Sequence, residues 1–129
     1  MFRGKQKRVP VEALLKLEVD RLRSLTAEEI ALDLFRMAEP FGLDQHAMSV
    51  GGFAQCLVPG NGRLRGPLVQ EFWRLIDEGA QALVRAGLFA SAGWGGAGGG
   101  NVYRLSRAGR EALEQGSAEE ALGGQAPAS

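Results

Sequence analysis

The stretch PLVQEFWRLIDEGAQALVRAGLFA, residues 67–90, carries the strongest pattern in the chain. Val69, Phe72, Trp73, Ile76, Ala80, Leu83, Val84 and Gly87 step by three and four, while Gln70, Glu71, Arg74, Asp77, Glu78, Gln81 and Arg85 fall on the other side. That spacing predicts one long amphipathic helix from Leu68 to Ala86, its apolar stripe inward and its polar stripe in water. Pro67 suits the first helical position, where its missing N–H has no partner to lose. Gly87 ends the helix. Gly79 costs ~1 kcal/mol against Ala inside a helix, so the helix bends there or another backbone packs close.

Beyond Gly87, Leu88 to Ala92 and Val102 to Ser106 have short β character, and the GWGGAGGGN between them reads as a flexible hairpin tip. Ser106 then caps a last helix to about Gln115, with Ala108, Ala112 and Leu113 inward and Gly116 at its C-terminal end. In the other direction, PGNGRLRGP, residues 59–67, is a polar loop with turn chemistry at both ends. Residues 41–66 mix apolar side chains with Gly42 and the Gly51–Gly52 pair, and allow one short buried helix around Phe53 to Val58. Thr26 with Glu29 forms a capping box, flanked by Leu25 and Ile30 at staple positions, so a helix starts there; Pro40 stops it. Val11, Leu14, Leu15, Leu22 and Leu25 give an earlier helical stripe, broken at Glu18 and ending near Arg23.

Composition sets the outer frame. The chain has 129 residues, 45% of them hydrophobic, enough for the core of a single domain. Residues 1–10 read as a flexible basic arm, residues 11–115 as the folding unit and residues 116–129 as a disordered tail. Nineteen glycines are an excess, and six of them lie between Gly93 and Gly100, which marks a mobile hairpin tip. The single Cys56 makes no intramolecular disulfide and fits a reducing, cytoplasmic setting. Two 18-residue stretches free of charge, 45–62 and 86–103, are too rich in Gly and polar residues to span a membrane, and a soluble protein is expected.

The order helix, helix, loop, long helix, β-hairpin, helix resembles the winged-helix family of helix-turn-helix domains. ALVRAGLFA, residues 82–90, matches the turn from the long helix into the first wing strand. YRLSRAGREAL, residues 103–113, matches the second wing strand capped by Ser into a closing helix, as in bacterial regulators. The resemblance covers roughly residues 67–115. It implies a mostly α fold with a small β-hairpin, carrying an extra N-terminal helix and an inserted loop before the long helix. It further implies a non-enzymatic transcriptional regulator that binds double-stranded DNA as a homodimer, the first helix being a natural dimer element. The long helix would enter the major groove, where Gln70 and Arg74 can address adenine and guanine. Arg63 and Arg65 before it, and Arg104, Arg107 and Arg110 around the wing, would clamp phosphates with the basic arm. Gln81 is a further polar side chain on that helix, and the aromatic Trp94 beside the wing glycines could stack on a base, anchor a partner or fold back onto the core.

Other features depart from this pattern. The net charge is zero, the long helix through Ala90 sums to −1, and the wing tip carries no Lys or Arg. Neutrality is a cancellation, with +4 on residues 1–10, +3 on 91–110 and −4 on 111–129, so a local anion-binding face remains open. A winged-helix module that binds proteins and not DNA is the alternative. DNA requires Arg63, Arg65, Arg74, Arg104 and Arg107 on one face; if they scatter, the interaction module is favoured.

No cofactor or metal site is expected. Gly93, Gly95 and Gly98 form a GxGxxG, but it leads into a strand and not a helix, and GNGRLRG lacks the GK[ST] of a phosphate loop. One His and one Cys cannot make a four-ligand zinc site. His46 reads as a loop residue, Cys56 as a small buried one, and Glu28 and Glu29 as complements to a helix dipole.

Overall fold

The computed structural model describes residues 10–38, 40, 42–43, 46–96 and 99–116. Among these residues five helices and three short strands follow in the order α1 (Val11–Arg23), α2 (Ala27–Arg36), β1 (Met48–Ser49), α3 (Val50–Leu57), α4 (Pro67–Arg85), β2 (Phe89–Trp94), β3 (Asn101–Leu105) and α5 (Arg107–Gln115). A 3-10 turn, Asn61–Arg63, lies between α3 and α4. The strands form one antiparallel sheet in the order β1, β3, β2. The chain is therefore mostly helical with a small sheet. The basic arm up to Val9 and the tail from Ser117 lie outside the described residues.

The local signals act where the sequence places them. Thr26 Oγ1 accepts from Glu29 N while the Glu29 carboxylate accepts from Thr26 N, closing the capping box at α2. At the far end of α4, Gly87 N–H reaches Val84 O and Leu88 N–H reaches Leu83 O, the paired bonds that end a helix on a left-handed glycine. Ser106 then does two things. Its hydroxyl accepts from Gly109 N to cap α5, and it donates to Gly87 O at 2.5 Å. The two segments ALVRAGLFA and YRLSRAGREAL thus meet at this serine, which holds α5 against the end of α4. A Cβ on Gly109 would overlap the Leu88 carbonyl oxygen, so only glycine permits this approach.

Several expectations change. In α1 the buried residues are Leu15, Val19 and Leu22, while Leu14 is exposed: the inward stripe runs through Val19, one position beyond the break assigned to Glu18. The helix α2 ends at Arg36, short of the Pro40 block, because Met37 and Ala38 turn back onto Asp33, Leu34 and Phe35 carbonyls. The buried helix starts at Val50 rather than Phe53, since Ser49 accepts from Gly52 N and caps it. In α5, Gly109 and Ala112 face inward and Ala108 is exposed. The strand β1, which pairs Met48 with Tyr103 and Ser49 with Val102, was not expected. Two residues carry no periodicity, and only the edge of β3 makes them a strand.

The described part of the wing tip is also not a loose hairpin end. Gly95 N–H bonds Gly100 O at 2.7 Å, Gly99 and Gly100 N–H bond Gly96 O, and Gly51 N–H at the start of α3 bonds Gly99 O at 2.9 Å. These bonds tie Gly95, Gly96, Gly99 and Gly100 together and join Gly99 to α3; Ala97 and Gly98 lie outside the described residues.

The core is built around α4. Phe72, Ile76, Ala80 and Leu83 are fully buried against Ile30, Leu34 and Phe35 of α2 and Leu15, Val19 and Leu22 of α1. On the sheet side Phe53, Phe89 and Tyr103 stack in series, each pair of rings 6.1 Å apart. Gly79 is where α2 comes closest: a Cβ there would overlap Ile30 Cγ2 and stand 3.2 Å from the Ala31 backbone nitrogen. Of the two explanations for this glycine, close packing of another backbone applies. Gly79→Ala is expected to destabilise the fold by about 1–3 kcal/mol through overpacking, outweighing the ~1 kcal/mol of helix propensity it gains. A denaturant melt beside Gly62→Ala, whose Cβ meets nothing within 4 Å, checks this, and equal midpoints would refute it.

Candidate functional site

The region before α4 is organised by one buried amide. Asn61, only 1% exposed, donates from Nδ2 to Val58 O at 2.9 Å and accepts from Trp73 Nε1 at 3.1 Å. It joins the end of α3 to the second turn of α4. Gly60 and Gly66 take positive φ on either side of the 3-10 turn, and Gly66 precedes Pro67 without any capping side chain. Trp73 is therefore only partly buried and does not belong wholly to the core. Its ring, with Leu64, Val69 and Gly62, walls a cleft of about 610 Å³ that has Arg65 and Gln70 at its edge. Sequence reasoning named Arg65 and Gln70. It missed Asn61, which looks like one more turn residue in PGNGRLRGP.

The polar stripe of α4 divides into groups with different tasks. Glu71 faces α1, where Arg23 Nε donates to it at 2.7 Å and Arg23 Nη2 makes a second bond. That guanidinium holds the Glu71 carboxyl below its usual range. Asp77 and Gln81, expected in water, face the sheet instead. Tyr103 Oη donates to Asp77 Oδ1 at 2.5 Å and accepts from Gln81 Nε2 at 2.7 Å, and Asn101 Nδ2 donates to the same carboxylate oxygen at 3.2 Å. Gln81 is thereby unavailable as a base-reading side chain. The network ties β3 to α4. Burial, with the Asp77 carboxylate accepting its proton, pushes the Tyr103 phenol well above its ordinary value. The polar side chains that α4 leaves exposed are Gln70, Arg74, Glu78 and, at its far end, Arg85; Arg74 already bonds Glu78 at 2.7 Å with Glu71 3.8 Å away.

The seven residues expected to contact DNA are spread over the loop before α4, α4 itself, β3 and α5. Arg63, Arg65, Gln70 and Arg74 gather around the N-terminal half of α4. Arg104 alternates with the buried Tyr103 and Leu105 in β3 and therefore stands on the opposite face of the sheet, across from Ala90. Arg107 and Arg110 sit on α5, clamped at Gly87 and Leu88, at the other end of a helix ~28 Å long. Among the described residues Arg63, Arg104, Arg107 and Arg110 make no ion pair, and Arg65 bonds only the Gly62 and Leu64 carbonyls. At the end of β2, Trp94 is 68% exposed and does not fold onto the core. The β-bulge between Ser91 and Gly93 sets it opposite Asn101.

Comparison with family models, with curated proteins and with solved structures finds no match to this chain. Among the described residues no three His, Cys, Asp or Glu side chains group as metal ligands, and no helix is long and apolar enough to cross a membrane. His46 is exposed, and Cys56 is half-buried with its thiol pushed up by burial.

The Tyr103 network makes a prediction specific to the only tyrosine in the chain. Folding raises its pKa, so its contribution to stability is whole below the unfolded value of ~10 and drains as pH rises toward the folded one. Tyrosinate absorbance should therefore stay absent in the native protein at a pH where the urea-unfolded chain has already ionised. Tyr103→Phe should abolish the difference and cost about 1–3 kcal/mol, because Asp77 loses its buried donor. Equal ionisation of native and unfolded chains would refute the network.

Proposed function

We propose that this chain is a winged-helix domain that serves as a protein-interaction module, with the loop before α4, the N-terminal half of α4 and the wing as its working face. The succession α2, β1, α3, α4, β2, β3, with β3 central in the sheet, supports the winged-helix reading, α1 being the extra N-terminal helix. The function is argued from the site, because such folds host many roles.

The observation that carries the module reading is the division of the arginines. Of the five that DNA would need together, Arg63, Arg65 and Arg74 gather, Arg104 and Arg107 do not, and Arg74 is neutralised by Glu78. Among the described residues the cations of this face without an ion pair are Arg63 and Arg65, and two such contacts, at about −0.9 in salt slope per phosphate, give a roughly tenfold loss of affinity between ~50 and ~200 mM salt, against ~10³–10⁵ for interfaces of about six to ten contacts. The face is thus weak in charge and carries the apolar Trp73 cleft, while the exposed Trp94 on β2 adds apolar surface elsewhere on the hairpin. No chemistry is assigned to it, and the protein is proposed as non-enzymatic. The exposed Leu14 and Leu17 on α1 offer an apolar strip for the expected homodimer, in a cytoplasmic setting.

DNA binding is the second reading, favoured by one arrangement: Gln70 and Arg74 stand exposed on the N-terminal half of α4 with Arg63 and Arg65 just before them. A fluorescence-anisotropy titration with labelled duplex DNA separates the two. The module reading expects no binding at about 50 mM salt. Binding that falls steeply with salt would overturn it, and in that case removing Arg63, Arg65 and Arg74 should abolish binding while removing Arg104, Arg107 and Arg110 leaves it intact.

A further inference from the structure

We infer that the cleft between the 3-10 turn and α4 is a docking site for an acidic peptide segment of a partner protein that carries one bulky apolar residue. The inference rests on the module reading and names the ligand chemistry of the same face. Its volume, about 610 Å³, lies in the ~300–1,000 Å³ range of sites that enclose a ligand group, ample for a Leu, Phe or Trp side chain. Its walls are apolar: Leu64, Val69 and the face of Trp73, whose indole N–H is already satisfied by Asn61. An apolar anchor seated in such a pocket and ringed by polar contacts is how small interaction surfaces concentrate their affinity.

The charge around the cleft selects the flanks of that anchor. Arg65 at the rim spends only its Nη1 on the Gly62 and Leu64 carbonyls, which hold the guanidinium over the loop and leave Nε and Nη2 to donate. Arg63, in the adjacent turn, is exposed and makes no ion pair among the described residues. The start of α4 adds positive character, since Gly66 provides no capping side chain. The acids of the same helix do not cancel this: Glu71 is taken by Arg23 and Glu78 by Arg74. Unpaired arginines beside an apolar pocket complement carboxylates beside an apolar side chain. A duplex, which presents phosphates on a convex surface, would leave the cleft unfilled.

Panning a random dodecapeptide display library on the full chain, then titrating a fluorescein-labelled synthetic form of the enriched peptide, tests this. The expected consensus is one large apolar residue flanked by Asp or Glu. Gly62→Trp should weaken that peptide at least ~10-fold by filling the cleft, and its fold should persist because nothing lies within 4 Å of a Cβ at that position. Arg63→Glu with Arg65→Glu, both exposed, should weaken it similarly with an unchanged thermal melt, which keeps the test independent of how the tryptophan variant folds. An empty selection, a basic or purely polar consensus, or affinity indifferent to both variants overturns the docking site. A peptide that binds but is indifferent to both variants overturns the cleft alone and leaves the module reading standing. Salt-steep binding of duplex DNA in the separate titration removes both.

Discussion

The approach of α2 to α4 at Gly79 is the contact on which the other arrangements depend. With no side chain at that position, Ile30 and the Ala31 backbone settle onto the helix surface, and Phe72, Ile76, Ala80 and Leu83 can bury their whole faces against α2 and α1. Interiors packed at near-crystalline density transmit a displacement of a few tenths of an ångström to every neighbour. Spreading these helices apart would shift the stripe of α4 against the sheet and, with it, the Asp77 and Tyr103 pair. The ~1 kcal/mol that a mid-helix glycine costs is offset by the burial its absence of a side chain permits.

From that anchor α4 serves every other element. Its α1 side is held by Glu71 with Arg23, its sheet side by Asp77 and Gln81 with Tyr103 and Asn101, its start by Trp73 with Asn61, and its end by Gly87 with Ser106. Three of its polar residues, Glu71, Asp77 and Gln81, are thereby committed to structure. This explains how the N-terminal half of a helix that reads as a solvated, mixed-charge surface presents so little usable charge: the exposed remainder is Gln70, the mutually paired Arg74 and Glu78, and Arg85 at the far end. The docked wing follows the same pattern, its Gly99 carbonyl taking the Gly51 N–H at the start of α3. Gly100, beside Val50 and Trp73, takes a positive φ that favours glycine there.

Sequence alone determined the elements whose causes are local. The capping box at Thr26, Pro67 at the first helical position, the glycine end at Gly87 and the cap at Ser106 all act across three or four residues, so they are legible without knowing what lies opposite. The long helix, the wing strands and the closing helix could be read for that reason. So could the presence of Arg63, Arg65, Gln70 and Arg74 near one helix start. Only the tertiary structure decided which polar residues are partnered and by whom. Glu71 and Arg23 are 48 residues apart, Tyr103 and Asp77 are 26 apart, and β1 exists because β3 offers it an edge. The side of α1 that turns inward, the burial of Asn61 and the separation of Arg104, Arg107 and Arg110 from the rest were decided in the same way. Amphipathic periodicity says that a face will be covered; it carries no information on which distant residue covers it, because that choice is made by packing and not by the chain's local geometry.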